Sequence, residues 1–309
     1  MAHHHDPQAG NSAVAEPSIA FTNVGKVLFP ATGFTKGDLL QYYQRIAPVM
    51  IHHLEGRPVT VKRCPDGVNA ETFYEKRCPA KRPDWVTTAK IASAHHGVIE
   101  FCVVDHLATL LWQANRAAIE FHPYLYRAED EDAPTQVVFD LDPGPERTVI
   151  DCCAVALRMR DLLNGMRLTA CIKTSGGKGL HIGVPVRGAT FAETKAFAHQ
   201  VASTMARNDP AGITDIMAKT QRTGRIFIDW SQNDHGKTTA CAYTVRVLDE
   251  PWVSTPVAWT EIEEALKKKR PNLLRFEPAQ VVKRVDELGD LQAPMIHHLQ
   301  KLPKTAGIS

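Results

Sequence analysis

Between residues 136 and 231 the hydrophobic period switches back and forth in an order that few folds can use. QVVFDLD reads as a strand, TVIDCCAVALRMRDLLNGM as a helix that Gly165 can end, and LTACIKT as a strand. After the loop SGGKG, LHIGVPV reads as a strand, TFAETKAFAHQVASTMARN as a helix, and RIFIDWS as a strand. Thr190 and Glu193 stand at capping-box spacing where the second helix begins. The order is βαββαβ, the ferredoxin-like arrangement that also underlies RNA-recognition-motif sheets. In such a sheet the first strand lies between the third and the fourth. Asp140, Asp142, His181 and Asp229 are therefore expected on neighbouring strands, three acids and a histidine sharing one face or end.

Flanking segments extend this unit on both sides. Upstream, Thr35 begins an expected helix in TKGDLLQYYQRIAPVMIHHL, with Asp38 three residues after the cap and Leu39, Tyr43, Ile46 and Met50 on one face. RPVTVKR reads as a strand, and ATLLWQANRAAIEFH as a second helix with Leu110, Leu111, Ala114 and Ala118 along its buried stripe. Downstream, ACAYTVR reads as a strand and TEIEEALKKKRPN as a capped helix stopped by Pro271, its KKKR closing the last turn. The expected organisation is α+β. A disordered or tag-like start over 1–18, containing a triple histidine, precedes a single domain over 19–295. Within it fall an N-terminal α/β module (19–130), a catalytic module (131–255) and C-terminal helices (256–295), followed by a tail or linker over 296–309.

Composition bounds the function classes. No apolar run approaches the ~18–20 residues of a membrane span, and no export signal is visible, so a cytoplasmic protein is expected. The formal net charge of +2 permits a nucleic-acid partner without arguing for one, because a phosphate-binding surface needs only a local basic stripe. Seven cysteines, an odd set without a C-x-x-C pair, are expected as reduced thiols, and no structural zinc is expected. His52–His53, His95–His96 and His297–His298 read as surface pairs.

Side chains alternate along a strand, so Asp140 and Asp142 point to the same side, roughly 6.5–7 Å apart at Cα. Two carboxylates so placed repel each other unless cations sit between them. Two divalent ions ~3.5–4 Å apart fit such a cage, with Asp229 completing it from an adjacent strand. Sites of this kind serve phosphoryl and nucleotidyl transfer. Two other readings of the D-x-D remain open: solvated aspartates in a D-P-G turn, and the nucleophile and acid–base pair of an aspartyl-phosphate phosphatase. Those phosphatases carry Thr or Val where this chain has Gly144.

TSGGKGLHIG is the second constellation. Its glycines let the backbone approach an anion, Ser175 and Lys178 offer a hydroxyl and a cation, and His181 sits two residues into the next strand. It does not meet the Walker pattern, and a glycine hairpin with a lysine at its tip is the plain alternative. Around TGRIFIDWSQN, Arg222 and Arg225 precede the strand, Asp229 lies within it, and Gln232 and Asn233 follow. A structural arginine–aspartate pair is the alternative there.

These three motifs, with VTVKRCPDGVNAETFYEK upstream, closely resemble the polymerase domain of bacterial DNA ligase D, a branch of the archaeo-eukaryotic primase superfamily. The resemblance covers most of residues 19–290. It implies a primase fold, and a template-directed nucleotidyltransferase that fills gaps and extends ends during non-homologous end joining, with a preference for ribonucleotides. By that resemblance Asp140, Asp142 and Asp229 look like the ligands of two Mn2+ or Mg2+ ions. Ser175, Gly177, Lys178, His181, Arg246 and Gln232 look like triphosphate contacts, His122 like a sugar neighbour, and Lys62 like a further nucleotide contact. Phe73 and Tyr74 look like the pair that stacks on the template base, a contact that needs no sequence readout. Arg63 and Arg222 are expected at DNA. Lys26 and Lys36, with Asn23, match positions that recognise a 5′-phosphate across a break. The implied partners are DNA with 5′-phosphorylated gaps or 3′ overhangs, NTP or dNTP, Ku, and ligase and phosphoesterase domains, with no membrane. The alternatives to set against this are a catalytically silent DNA-end-binding module and the aspartyl-phosphate phosphatase.

Overall fold

The computed structural model describes residues 17–93 and 97–303, so the histidines at positions 3–5 and the His95–His96 pair fall outside the described residues. The chain opens with a ribbon of β1 (Val27–Phe29) and β2 (Phe34–Thr35) and runs into helix α1 (Lys36–Leu54). Thr35 caps α1 as its spacing predicts. The Thr35 hydroxyl accepts from the Asp38 amide at 3.1 Å, and the Asp38 carboxylate accepts from the Thr35 amide at 2.7 Å. An antiparallel sheet follows from β3 (Pro58–Arg63), β4 (Phe73–Glu75), β5 (Thr88–Ser93), β6 (Gly97–Val103) and, after helix α2 (Leu107–Asn115), β7 (Ala118–Pro123). Strand β3 pairs with β4, β6 and β7, and β5 lies outside β6. A short ribbon of β8 (Tyr126–Arg127) and β9 (Asp130–Pro134) leads into the next module.

That module carries β10 (Gln136–Pro143), α3 (Val149–Gly165), β11 (Cys171–Thr174), β12 (Leu180–Pro185), α4 (Phe191–Asn208), β13 (Ile213–Thr214), β14 (Ile226–Asp229) and β15 (Pro256–Val257). The sheet order is β13-β14-β10-β12-β11-β15. Its four central strands thus stand in the order fourth, first, third, second, as βαββαβ requires. Thr148 and Thr190 cap α3 and α4, each through a complete capping box. One face of the sheet is apolar: Phe139, Leu141, Leu180, Ile182 and Ile228 are fully buried in one cluster with Cys152, Ala156 and Met159 of α3 and Ala198, Val201 and Ala202 of α4. Alternation along the strands leaves the polar residues between them on the opposite face. Helices α5 (Trp259–Lys268), α6 (Pro278–Leu288) and α7 (Pro294–His297) complete the fold. Among the described residues no helix is long and apolar enough to cross a membrane.

Several expectations change. The helix expected to run to residue 122 stops at Asn115; the chain reverses through Ala117, whose φ of 61° is left-handed, and continues as β7. All six β7 residues are buried, Glu120 and His122 among them, and the short Ile119-Glu120-Phe121-His122 alternation was absorbed into the helical stripe that runs through Ala118. The strand expected at 240–246 is irregular, with Tyr243 at φ 70° and an isolated bridge from Val245 to Val253. Not every cysteine is a free thiol: Cys78 and Cys102 form a disulfide, while Cys64, Cys152, Cys153, Cys171 and Cys241 are free and buried. His53 is not a surface residue either, since its ring meets the Asp290 carboxylate at 2.9 Å with 8% of the side chain exposed. The boundary expected at 295 falls inside α7. Beyond it, the Gln300 side chain accepts from the Thr169 amide at 2.8 Å and donates to the Thr169 carbonyl at 2.9 Å.

Candidate active site

The cross-strand register lines up four polar side chains. Lys173 of β11 stands opposite His181 of β12, His181 opposite Asp140 of β10, and Asp140 opposite Asp229 of β14. Residues directly opposite in a sheet share a face. The row therefore runs amine, imidazole, carboxylate, carboxylate across four strands, on the side away from α3 and α4. Asp142, two residues beyond Asp140, joins it at the strand end.

A cleft of about 550 Å³ opens over this row, lined by Asp140, Asp142 and His181, by Ser175, Gly177 and Lys178 of the glycine loop, and by His122, Tyr74, Gln232 and Arg246. Ten of the residues named from sequence thus meet around one cavity. Asp229 stands beside it without lining it. One of its carboxylate oxygens accepts from the Ser231 amide at 2.9 Å and the Ser231 hydroxyl at 2.6 Å, and the other from the Gln232 amide group at 2.9 Å.

Charge is concentrated here. Burial, then the charges of Asp142 and Asp229, push the Asp140 carboxyl up to about 8 against the opposing pull of Lys173 and Arg246. Burial also raises Asp142, where Arg222 pulls the other way and Asp229 adds to the rise. His181 Nε2 lies 3.3 Å from Asp140 Oδ1 without hydrogen-bond alignment, so Oδ1 is buried with no donor. An orphaned, proton-retaining carboxylate flanked by two more is an arrangement that a cation relieves. The donors are hard oxygens, the set that Mg2+ and Mn2+ take. The residues fit a divalent metal, although among the described residues no three His, Cys, Asp or Glu side chains already form a ligand group, the Asp229 carboxylate being engaged as above.

The glycine loop is shaped by its own hydroxyl. Ser175 Oγ accepts from the amides of Gly177 and Gly179, both at 3.1 Å. Gly176 sits at φ +74°, and a Cβ there would stand 2.5 Å from Arg246 Cγ. Arg246 in turn donates to the Ser175 carbonyl, which ties the loop to the 240–246 segment.

Two buried residues under the cleft were not singled out from sequence. Glu120 of β7, 2% exposed, accepts from His122 Nε2 at 2.7 Å and from the Val247 amide at 2.6 Å, with Arg246 Nε 3.4 Å away. Burial works to raise its carboxyl, but the His122 hydrogen bond and the Arg246 charge outweigh it and hold the group at about 2. Lys173, 6% exposed, meets His181 Nδ1 at 3.0 Å and donates to Ser254 Oγ at 2.6 Å. A lysine inside the otherwise apolar CIKT, immediately before the glycine loop, was the signal available for it.

The remaining named residues lie outside the cleft. Lys62 and Arg63 of β3 stand opposite Tyr74 and Phe73 of β4 and lie over their rings at 5.6 and 5.4 Å. Phe73 and Tyr74 are 40% and 57% exposed, high for aromatic side chains, and so are free to meet a flat partner. Arg222 lies over Phe227 at 3.7 Å and donates to the Met217 carbonyl at 2.6 Å. Lys26 pairs with Asp66 at 2.6 Å, and Asn23 takes a left-handed φ of 49°. Lys36 is buried, donating to the Asn115 carbonyl at 3.0 Å and the Thr22 hydroxyl at 3.3 Å. Burial and then the Lys26 charge lower its pKa.

Comparison with known proteins bears on this geometry. Residues 35–292 match the family described as LigD, primase-polymerase domain. The multifunctional non-homologous end joining protein LigD of Mycolicibacterium smegmatis is 39% identical over 285 residues, 90% of this chain and 36% of that protein. The bifunctional non-homologous end joining protein LigD of Bacillus subtilis is 30% identical over 258 residues, 83% of this chain and 41% of that protein. This chain thus spans well under half the length of those relatives. The polymerase domain from Mycobacterium tuberculosis ligase D, solved in complex with DNA, superposes with a TM-score of 0.85 at 34% identity, covering 92% of this chain and 99% of that one. The chain belongs to the LigD primase-polymerase domain family, nucleotidyltransferases built on the archaeo-eukaryotic primase fold.

Proposed function

We propose that this chain extends a DNA 3′ end under the direction of a template strand, filling gaps and extending ends during non-homologous end joining in the bacterial cytoplasm. One observation carries the reading: Asp140, whose carboxyl is pushed up by burial and by the charges of Asp142 and Asp229, stands with Asp142 in a cleft lined by the glycine loop and Arg246, with the buried Lys173 and Asp229 in the same cross-strand row. Asp140, Asp142 and Asp229 would hold two Mn2+ or Mg2+ ions, which when bound supply Lewis acidity at the primer 3′-hydroxyl and charge neutralisation at the triphosphate. The chain's own groups bind and orient. Ser175, Gly177, Lys178, His181, Arg246 and Gln232 surround the triphosphate, Lys62 adds a cation, and His122 stands at the sugar, where a ribonucleotide preference would be set.

At the edge of the cleft, which Tyr74 lines, Phe73 and Tyr74 stack on template, with Arg63 and Arg222 on the DNA backbone. Lys26, Lys36 and Asn23 form the 5′-phosphate end, and the buried position of Lys36 argues that it acts with Lys26 as a fixed positive field. Ku and the ligase and phosphoesterase domains are partners that the family resemblance implies. A silent end-binding module is the poorer reading, because concentrated negative charge facing phosphates only weakens binding. The test is a gapped duplex with a 5′-phosphate, Mn2+ and labelled ribonucleotide. Wild-type protein should extend the primer, and Asp140→Ala with Asp142→Ala should abolish extension while the melting curve stays cooperative. A double variant that still extends would remove the metal assignment. Wild-type protein that binds 5′-phosphorylated ends but never extends them would restore the binding module.

A further inference from the structure

The geometry points to Lys173 as a positioning residue that fixes His181 in the Nε2–H tautomer, so that its imidazole presents a donor to the triphosphate. The inference rests on the polymerase reading above for the identity of that anion.

Hydrogen-bond direction decides the tautomer. Ser254 Oγ donates to the Thr174 carbonyl at 2.9 Å, which commits its only hydrogen. Toward Lys173 Nζ, 2.6 Å away, Ser254 can therefore only accept. A lysine ammonium offers donors alone, and even a neutral amine has two hydrogens, enough for Ser254 and for His181 Nδ1 at 3.0 Å. Nδ1 is thereby made an acceptor in either state of the lysine. The neutral ring then carries its hydrogen on Nε2, the nitrogen that faces Asp140 Oδ1 at 3.3 Å on the cleft side. Thr239 Oγ1, 3.5 Å from Nδ1, can donate to the same lone pair. The other tautomer would aim a lone pair at a carboxylate and at phosphate oxygens, two repulsions at once.

Protonation of the ring does not supply the donor instead. A nitrogen that accepts from Lys173 carries no hydrogen of its own, so the ring in this geometry is not the imidazolium and its tautomer decides what it offers. The position itself asks for an explanation, since an apolar side chain would satisfy a strand whose neighbour Ile172 lies in the core, whereas a buried amine is costly unless it is used.

The whole chain labelled with ¹⁵N-histidine gives the first readout. Of its 14 histidines, His181 is identified by the signal lost in His181→Asn. Wild-type protein should show a hydrogen on Nε2 and a hydrogen-bonded, unprotonated Nδ1. In Lys173→Met this preference should collapse to a mixture, and the KM for nucleoside triphosphate should rise about tenfold, the size of one lost hydrogen bond to a charged group, with a smaller change in kcat. Ser254→Ala, which frees Lys173 from its anchor, should move both readouts the same way by less, and carries the test if Lys173→Met does not fold. Wild-type protein with the hydrogen on Nδ1 overturns the proposal, as does a folded Lys173 or Ser254 variant that loses activity with the His181 tautomer unchanged. If the tautomer follows Lys173 but no protein extends a primer, the positioning stands and the polymerase reading falls.

Discussion

Asp140 condenses the conflict on which this molecule is built. Its carboxyl titrates near 8 in the folded chain, pushed there by burial and by Asp142 and Asp229, against ~3.9 in an unfolded one. Between those values the folded state holds a proton that the unfolded state has released, so this group makes stability fall as pH rises from about 4 to about 8, and its full cost persists above that. Asp140→Asn removes the charge and keeps the shape. In chelator-treated buffer the variant should therefore melt higher than the parent at pH 9, with the difference closing toward pH 4. The 21% of the side chain left open to the cleft discounts the gain, to roughly 2 kcal/mol. Melting curves across that range decide it, and an Asn variant uniformly less stable at every pH would mean that the aspartate is held by contacts rather than strained by charge. The sequence announced this residue because D-x-D at a strand end is local. It gave no role to Lys173 or Glu120, whose roles come from partners on other segments: His181 is eight residues from Lys173, Ser254 and Val247 far beyond.

Elements were legible where period and punctuation agreed. The βαββαβ order could be read because each helix began at a Thr whose box was complete and each strand was apolar and short, and that order alone put Asp140, His181 and Asp229 in adjacent strands. Reading failed where a strand was buried on both faces, as in β7, and where pairing shrinks to an isolated bridge, as at 240–246, whose path is also fixed by contacts with β7 such as the Cys241 amide on the Phe121 carbonyl at 2.9 Å. The Cys78–Cys102 disulfide links residues 24 apart, which no spacing rule could select from seven cysteines. The glycine loop was legible as a loop but not in its reason for Gly176, which is both left-handed and packed against Arg246. Gly176→Ala should thus cost about 1–3 kcal/mol and displace the loop, raising the KM for nucleotide while DNA binding is kept. Equal losses of nucleotide and DNA affinity would argue that the loop holds the fold and not the triphosphate.

At the scale of the whole molecule the question is whether the N-terminal module and the catalytic sheet move as one body. Three segments meet at a single hydroxyl. Tyr43 of α1 donates to the Ile119 carbonyl of β7 at 2.5 Å, accepts from the Val245 amide at 3.1 Å, and lies 3.3 Å from the Thr244 hydroxyl. Next to it, Tyr42 donates to the Tyr243 carbonyl at 2.7 Å, and all of these groups are buried. Since β7 also carries Glu120 and His122, and the 240–246 segment carries Arg246, the same joint sets the width of the cleft from two sides. Tyr43→Phe keeps the ring in the core but leaves the Val245 amide and the Ile119 carbonyl without this partner inside the protein, at a cost of about 1–3 kcal/mol. If the two modules are one cooperative unit, denaturant unfolding of the variant should shift as a single transition with an unchanged slope. A split into two transitions, the first reported by tryptophans of the catalytic half such as Trp230 and Trp259, would show instead that the modules are separately stable and that the cleft between Tyr74 and Asp140 is a hinge.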